Sequence, residues 1–191
     1  MSQSSPGGDG TEARRELRDL RERLQRGSDE ARPDAVTRRH DRGYRTAREN
    51  LADLIDADSF VEYGALAVAA QRGRRSAEDL QRETPADGVI TGLARINSTY
   101  VDAAAARAAV IVYDYSVLAG TQGYFHHAKL DRMLDIARRQ TLPVVMYTEG
   151  GGGRPGDTDV RTQIAGLNVS TFAAWASLNT GRPRIAVNNG Y

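Results

Sequence analysis

The sequence contains no cysteine in 191 residues. Disulfides, a catalytic thiol and thiolate-based zinc sites are therefore excluded, and a reducing compartment fits. Aromatics make up only 6%, so a core has to be assembled from Ala, Val, Leu and Ile. No charge dominates: 26 Lys+Arg against 25 Asp+Glu leave a formal +1. Nucleic-acid surfaces usually carry a large positive excess, so no nucleic-acid partner is expected. Long apolar runs are missing too. The longest, around Val101–Tyr113, is interrupted by Asp102 and Arg107, which makes it too short and too charged to cross a bilayer. The opening MSQSSPGGDG holds no apolar h-region, so no export signal is read. The expected setting is cytoplasmic, without membrane contact.

What remains is a chain 40% hydrophobic, enough for a core at this length. Residues 1–10 are expected to be disordered for lack of apolar side chains. Thr11–Arg26 reads as a charged helix with Leu17, Leu20 and Leu24 as a thin stripe. Gly27–Pro33 is a break. Thr46–Glu49 spells a capping box, with Leu51, Leu54 and Ile55 as the apolar face behind it. Phe60–Tyr63 suggests a short strand. Ala65–Thr84, rich in Ala and Arg, reads as a mobile linker or peripheral helix.

From Asp87 the pattern changes. Gly88–Ile96, Ala108–Tyr113, Pro143–Tyr147 and Pro183–Val187 read as strands. His126–Gln140 and Gln163–Leu178 read as helices. Helices between buried strands predict an α/β fold with a largely parallel sheet. A sheet of this type should continue past Asn188–Tyr191, so the chain reads as truncated.

The loop Thr148–Asp157 carries four consecutive glycines, Gly150, Gly151, Gly152 and Gly153, between a buried strand and a helix. Glycines there let a ligand reach the backbone amides, which can cradle a phosphate or hold a developing oxyanion. No Lys-Ser/Thr follows, so it is not a Walker A loop. No G-x-G-x-x-G with a distal acid is present, so a dinucleotide site is disfavoured. A second small-residue turn, Ala119–Gly123, precedes His126, His127 and Lys129. The two histidines point apart on a helix without a ligating carboxylate pattern, so no metal is expected. His126 and Lys129 share a face that either meets an anionic ligand or is an ordinary exposed helix start. No nucleophile–base constellation is found. An enzyme built this way would rely on backbone amides plus a cofactor.

Taken in order, the motifs resemble the β-subunit type of biotin-dependent acyl-CoA carboxyltransferases. Arg42–Glu49 resembles that family's R-G-K-x-T-A-R-E-R-I. Leu54-Ile55-Asp56 and Ser59–Glu62 resemble L-L-D-x-G-S-F-x-E, and Asp87–Gly92 resembles D-G-V-V-T-G. Asp114, Ala119–Gly123, His126 and Lys129 resemble D-F-T-x-x-G-G-S-x-G-x-x-H-x-x-K. Pro143–Gly153 is similar to P-V-V-x-x-x-D-S-G-G-A-R, one residue longer, so which glycines align stays open. Ala119 and Thr121 stand where the family has Gly and Ser.

The resemblance implies a crotonase-like (ClpP/crotonase) spiral of ββα units preceded by N-terminal helices. Residues 1–33 would be a flexible tail and charged helix, and 34–191 an N-terminal acyl-CoA-binding domain incomplete at its C-terminus. It implies an acyl-CoA carboxylase component (EC 6.4.1 or 2.1.3 type) that moves a carboxyl group from carboxybiotin to the α-carbon of a short acyl-CoA, of the acetyl or propionyl class. Acyl-CoA would be the substrate. Biotin would sit on a partner carrier protein or domain, with a biotin carboxylase subunit as partner, and the chain would form homo-oligomers. Under this resemblance, amides among Gly150–Gly153 hold the enolate oxygen. Arg154, Gly120, Thr121, Gly123, His126 and Lys129 would contact substrate. Arg45 and Arg48 would meet CoA phosphates or, alternatively, pin a subunit interface through salt bridges. Two other readings stay open: a biotin-independent crotonase-type decarboxylase or hydratase, and a non-catalytic fragment or assembly subunit.

Overall fold

The all-apolar run Ala108–Tyr113 becomes the central strand of a five-stranded sheet. In the computed structural model, which describes residues 10–160 and 169–188, the strands are β1 (Val61–Glu62), β2 (Val89–Arg95), β3 (Arg107–Tyr113), β4 (Val144–Thr148) and β5 (Arg184–Asn188), ordered β1-β2-β3-β4-β5. Ala109, Val110, Ile111 and Val112 are each fully buried, as a strand covered on both faces requires.

The period of two sorts this strand between two cores. Ala109, Ile111 and Tyr113 pack with Leu130, Met133, Leu134 and Ala137 of helix α5 (Tyr124–Gln140) and with Leu178, which follows helix α6 (Thr171–Ser177). Val110 and Val112 pack on the other side with Ile90 and with Ala47 and Leu51 of helix α3 (Ala47–Leu54). The result is helix, sheet and helix in three layers.

The expected largely parallel sheet is corrected. β3–β4 and β4–β5 are parallel, but β1–β2 and β2–β3 are antiparallel. The segment between β2 and β3 forms no helix, and an antiparallel pair needs no crossover. The sheet is therefore mixed, and β2-β3-α5 makes one ββα unit.

The local sequence signals explain the helix starts. Thr46 Oγ1 accepts from the Glu49 amide (3.0 Å), and the Thr46 amide donates to Glu49 Oε2 (2.7 Å), completing the expected capping box. Pro33 opens helix α2 (Pro33–His40). Ser76 caps α4 (Ala77–Glu83) by accepting from the Asp79 amide (3.0 Å). The segment 65–84 is not a linker: Ala69, Ala70 and Leu80 are buried. Asp159 accepts from the amides of Arg72 (2.7 Å) and Gly73 (3.0 Å). Helix α1 (Gly10–Gln25) leaves Leu17, Leu20 and Leu24 exposed. The expected helix from Gln163 is described only as α6, because residues 161–168 lie outside the described residues, as do 1–9 and 189–191. Among the described residues no helix is long and apolar enough to cross a membrane, and no group of three metal-ligating side chains occurs.

Candidate active site

The antiparallel β2–β3 pair and the parallel β3–β4 pair bring three turns to one end of the sheet. These are the turn entering β2, the turn after β3 and the glycine loop after β4. The first two contain runs of left-handed backbone: Ala86, Asp87 and Gly88 (φ 52°, 50° and 72°), and Leu118, Ala119 and Gly120 (φ 49°, 54° and 65°). Non-glycine residues rarely adopt this region, at a cost of about 1–2 kcal/mol each. The surroundings must hold them there. The Asp114 amide donates to Gly88 O (2.9 Å), which ties the two turns together.

The turn after β3 is clamped to the glycine loop. The Gly151 amide donates to Ala119 O (3.0 Å), the Gln122 amide to Gly152 O (2.8 Å) and the Arg154 amide to Gln122 O (2.9 Å). The backbones approach so closely that a Cβ on Gly120 would lie 2.2 Å from Glu149 O, and one on Gly150 would lie 2.2 Å from Gly120 O. Glycine at 120 and 150 is thus a matter of space. Among the described residues, the amides of Gly150, Gly152 and Gly153 meet no acceptor, whereas that of Gly151 is taken.

Arg154 is buried and orients the loop. Its Nη1 pairs with Asp87 Oδ1, Nη2 donates to Thr121 O (2.6 Å), and Nε donates to Thr121 Oγ1 (3.3 Å). Asp87 has no exposed surface. Its second oxygen accepts from the His126 amide (2.7 Å) in the first turn of α5. Gly123, just before that helix, has no side chain to cap it, so Asp87 and Asp157, which accepts from the Tyr124 amide (2.8 Å), cap it from a distance. A Cβ at Gly123 would lie 2.3 Å from Arg154 Nη1. Burial pushes the Asp87 carboxyl above its usual range, with Arg154 pulling against it.

His126 and Lys129 are buried, so they are not an ordinary exposed helix start. Lys129 donates to the carbonyls of Ala86 (2.8 Å) and Val89, bracing the strained turn. Burial pulls its amine down to about 8. His126 is fully buried edge-on to Tyr113 (4.5 Å between centroids). Burial first, then the cations Arg154 and Lys129, hold it well below its usual range, hence neutral. Arg45 and Arg48 are engaged in ion pairs, with Asp53 (3.0 Å) and Glu62 (2.8 Å). Sequence reasoning missed Arg39, which is buried and holds Glu149 with both nitrogens (2.8 and 2.7 Å). It also quoted Asp87 without a role. An Asp-Gly pair at the head of an apolar strand was the available signal.

A cavity of about 320 Å³ opens beside Gly150. Gln122, Thr148, Glu149 and Gly150 line it together with Tyr113, Leu130, Met146 and Trp175.

A sheet end carrying unpaired glycine amides beside an apolar cavity suits a carbonyl substrate, and the comparisons define the class. The carboxyl transferase domain family matches residues 38–187, and the chain belongs to that family, as its motifs suggested. It is 32% identical over 140 residues to the propionyl-CoA carboxylase beta chain of Roseobacter denitrificans, covering 73% of this chain and 25% of that one. It is 33% identical over 119 residues to the methylmalonyl-CoA decarboxylase subunit alpha of Veillonella parvula, covering 62% of this chain and 21% of that one. Among solved structures, a single-chain, multi-domain long-chain acyl-CoA carboxylase matches with TM-score 0.83 and 52% identity, over 98% of this chain and 18% of that one. The beta subunit of Pseudomonas aeruginosa geranyl-CoA carboxylase matches with TM-score 0.69 and 25% identity, over 97% of this chain and 33% of that one. The chain spans between a fifth and a quarter of the curated relatives' length.

Proposed function

We propose that this chain is the acyl-CoA-binding part of a biotin-dependent carboxyltransferase, with residues 34–191 in a crotonase-like domain. The observation that carries the reading is the clamped pair of turns. Among the described residues they leave the amides of Gly150, Gly152 and Gly153 without an acceptor, and Gly150 also lines a largely apolar cavity. Supporting it are the family membership and the relatives, whose names speak of acyl-CoA carboxylation and decarboxylation.

The reaction needs negative charge on the thioester oxygen when the α-proton leaves. Preorganised amides in a dry site stabilise that charge, and losing one such donor costs on the order of 100–1000-fold in rate elsewhere. Gly150, Gly152 and Gly153 supply the donors here. Arg154, held by Asp87 and bonded to Thr121, keeps the loop from relaxing. Carboxybiotin, when bound, would supply the carboxyl group and the base. The residues fit the thioester side of that exchange: among the described residues lining the cavity the carboxylate is Glu149, and both its oxygens are engaged by Arg39. Biotin itself would be held by a neighbouring domain and delivered by a carrier partner, in a homo-oligomeric cytoplasmic assembly.

The test is Gly151→Val. Its Cβ would lie 3.2 Å from Thr121 Cγ2 and 3.5 Å from Ala119 O, so a branched side chain crowds the turn to which the loop is clamped and displaces the neighbouring amides. Turnover should fall at least 100-fold while CoA binding changes little. Unchanged turnover would overturn the oxyanion assignment.

A further inference from the structure

We propose that Arg39 is a positioning residue of the active site: through Glu149 it fixes the peptide that carries the Gly150 amide, and it cancels the carboxylate charge beside that amide. The inference rests on the thioester reading above and adds to it a residue from the N-terminal helices.

The first argument is the set of bonds that Arg39 makes. Arg39 of helix α2 and Glu149, which follows strand β4, are both buried. Nη1 and Nη2 of Arg39 donate to Oε1 and Oε2 of Glu149 (2.8 and 2.7 Å). Nε and Nη2 also donate to Arg45 O (3.1 and 3.0 Å), next to the Thr46 cap of helix α3. The guanidinium carbon sits over the rings of Tyr44 (4.9 Å) and Tyr115 (5.3 Å). A planar fork held between two rings, with a carboxylate on one side and a carbonyl on the other, has one orientation. Pinning α2 to α3 needs only the bonds to Arg45 O. The pair with Glu149, 110 residues away, reaches the glycine loop.

The second argument is where that pair acts. Glu149 O and the Gly150 amide belong to one planar peptide unit. Its carbonyl side is packed so closely that a Cβ on Gly120 would lie 2.2 Å from Glu149 O. Its amide side meets no acceptor among the described residues. The four glycines that follow have more backbone freedom than any other residue type. A preorganised donor at 150 therefore needs a hold on the residue before it, and Arg39 grips that residue by its side chain.

The third argument is charge. An oxyanion forming at the Gly150 amide has the buried Glu149 carboxylate on the adjoining residue, and the two line the same cavity. Like charges in a site screened from water repel strongly. Pairing on both oxygens with Arg39 removes that repulsion. Arg39 thus serves the reaction without touching the substrate.

The test uses the native gene product carrying this chain, with two readouts. One is reverse transfer from malonyl-CoA or methylmalonyl-CoA to biocytin, and the other is amide hydrogen exchange at residues 149–153. Arg39→Gln should lower kcat about 100-fold, the loss expected for one displaced oxyanion donor, and leave the thioester KM nearly unchanged. Adding Glu149→Gln to Arg39→Gln removes the repelling carboxylate and should restore kcat about tenfold. Arg39→Lys keeps the charge without the fork and should fall between wild type and Arg39→Gln. Exchange at 149–153 should quicken in both single variants while strand β3 stays protected. A merely structural Arg39 would lower kcat only in step with stability in urea and would show no rescue by Glu149→Gln. Unchanged loop exchange, or a kcat loss without rescue, would overturn the proposal, and Arg39→Lys carries the exchange readout if Arg39→Gln does not fold. A wild-type protein without biocytin-dependent turnover counts against the reaction instead. Faster loop exchange in the variants would then still uphold the anchor, and unchanged exchange would still overturn it.

Discussion

The Asp87–Arg154 pair is the point at which the site is most exposed to a single change. Asp87 accepts on both oxygens, from Arg154 on one and from the His126 amide on the other (2.7 Å). Neither residue reaches solvent: Asp87 is 0% and Arg154 4% exposed. Asp87→Asn keeps the shape and tolerates the left-handed backbone, since Asn is among the residues that adopt it most readily. It offers one acceptor oxygen in place of two, so one buried donor loses its partner at about 1–3 kcal/mol. Asp87→Ala removes the nearer of the two carboxylates on the buried guanidinium and leaves Asp157 at 3.5 Å, so the cost should exceed that of Asn and approach the about 3–5 kcal/mol of a fully broken buried pair. Urea unfolding at neutral pH, with a constant dependence on denaturant, reads both. The expected order is wild type, then Asn, then Ala, and the loop amides of Gly150–Gly153 should exchange hydrogen faster in both variants. An Ala variant within about 1 kcal/mol of wild type would refute the claim that this pair holds the loop.

Three further outcomes follow from the same geometry. Gly120→Ala should destabilise by about 1–3 kcal/mol more than Gly152→Ala in thermal unfolding. Both are left-handed (φ 65° and 85°), but a Cβ at 152 meets nothing within 4 Å, while one at 120 overlaps Glu149 O. Lys129 carries a pH signature. Its folded-state pKa of about 8 lies below the ordinary 10.5, so between those values the unfolded chain binds a proton that the folded chain does not. This group therefore makes stability rise with pH across that window. Lys129→Met should lose that rise, seen as a shallower change in unfolding free energy between pH 8 and pH 10. Thr46→Ala removes the capping-box hydroxyl and should cost about 1 kcal/mol in urea unfolding.

The elements were legible where apolar periodicity is strong. Ala108–Tyr113 and Pro143–Tyr147 read as buried strands and are β3 and β4. The Thr46–Glu49 box forms as spelled, and the glycine loop and the Ala119–Gly123 turn do sit at one sheet end. What failed depends on long-range pairing. Strand direction is set by the connection, and nothing in residues 96–106 announces a helix-free return. From the sequence, Lys129 either meets an anionic ligand or lies at an exposed helix start, and its local neighbours give no sign of burial. Its burial follows from two carbonyls of a strained turn some forty residues earlier. Likewise the sequence names Arg154 as a substrate contact but cannot name its buried partner, Asp87, 67 residues away. The linker reading of 65–84 failed because Asp159 ties that segment down from across the chain.

The central claim is carboxyl transfer between biotin and an acyl thioester at the glycine loop. Reverse transfer tests it most directly: the native gene product carrying this chain is given malonyl-CoA or methylmalonyl-CoA, and free biocytin as acceptor. The account predicts loss of the thioester carboxyl group that depends on biocytin and is abolished by Gly151→Val. Carboxyl loss that proceeds equally without biocytin, or none at all from a folded protein that binds CoA, would contradict it.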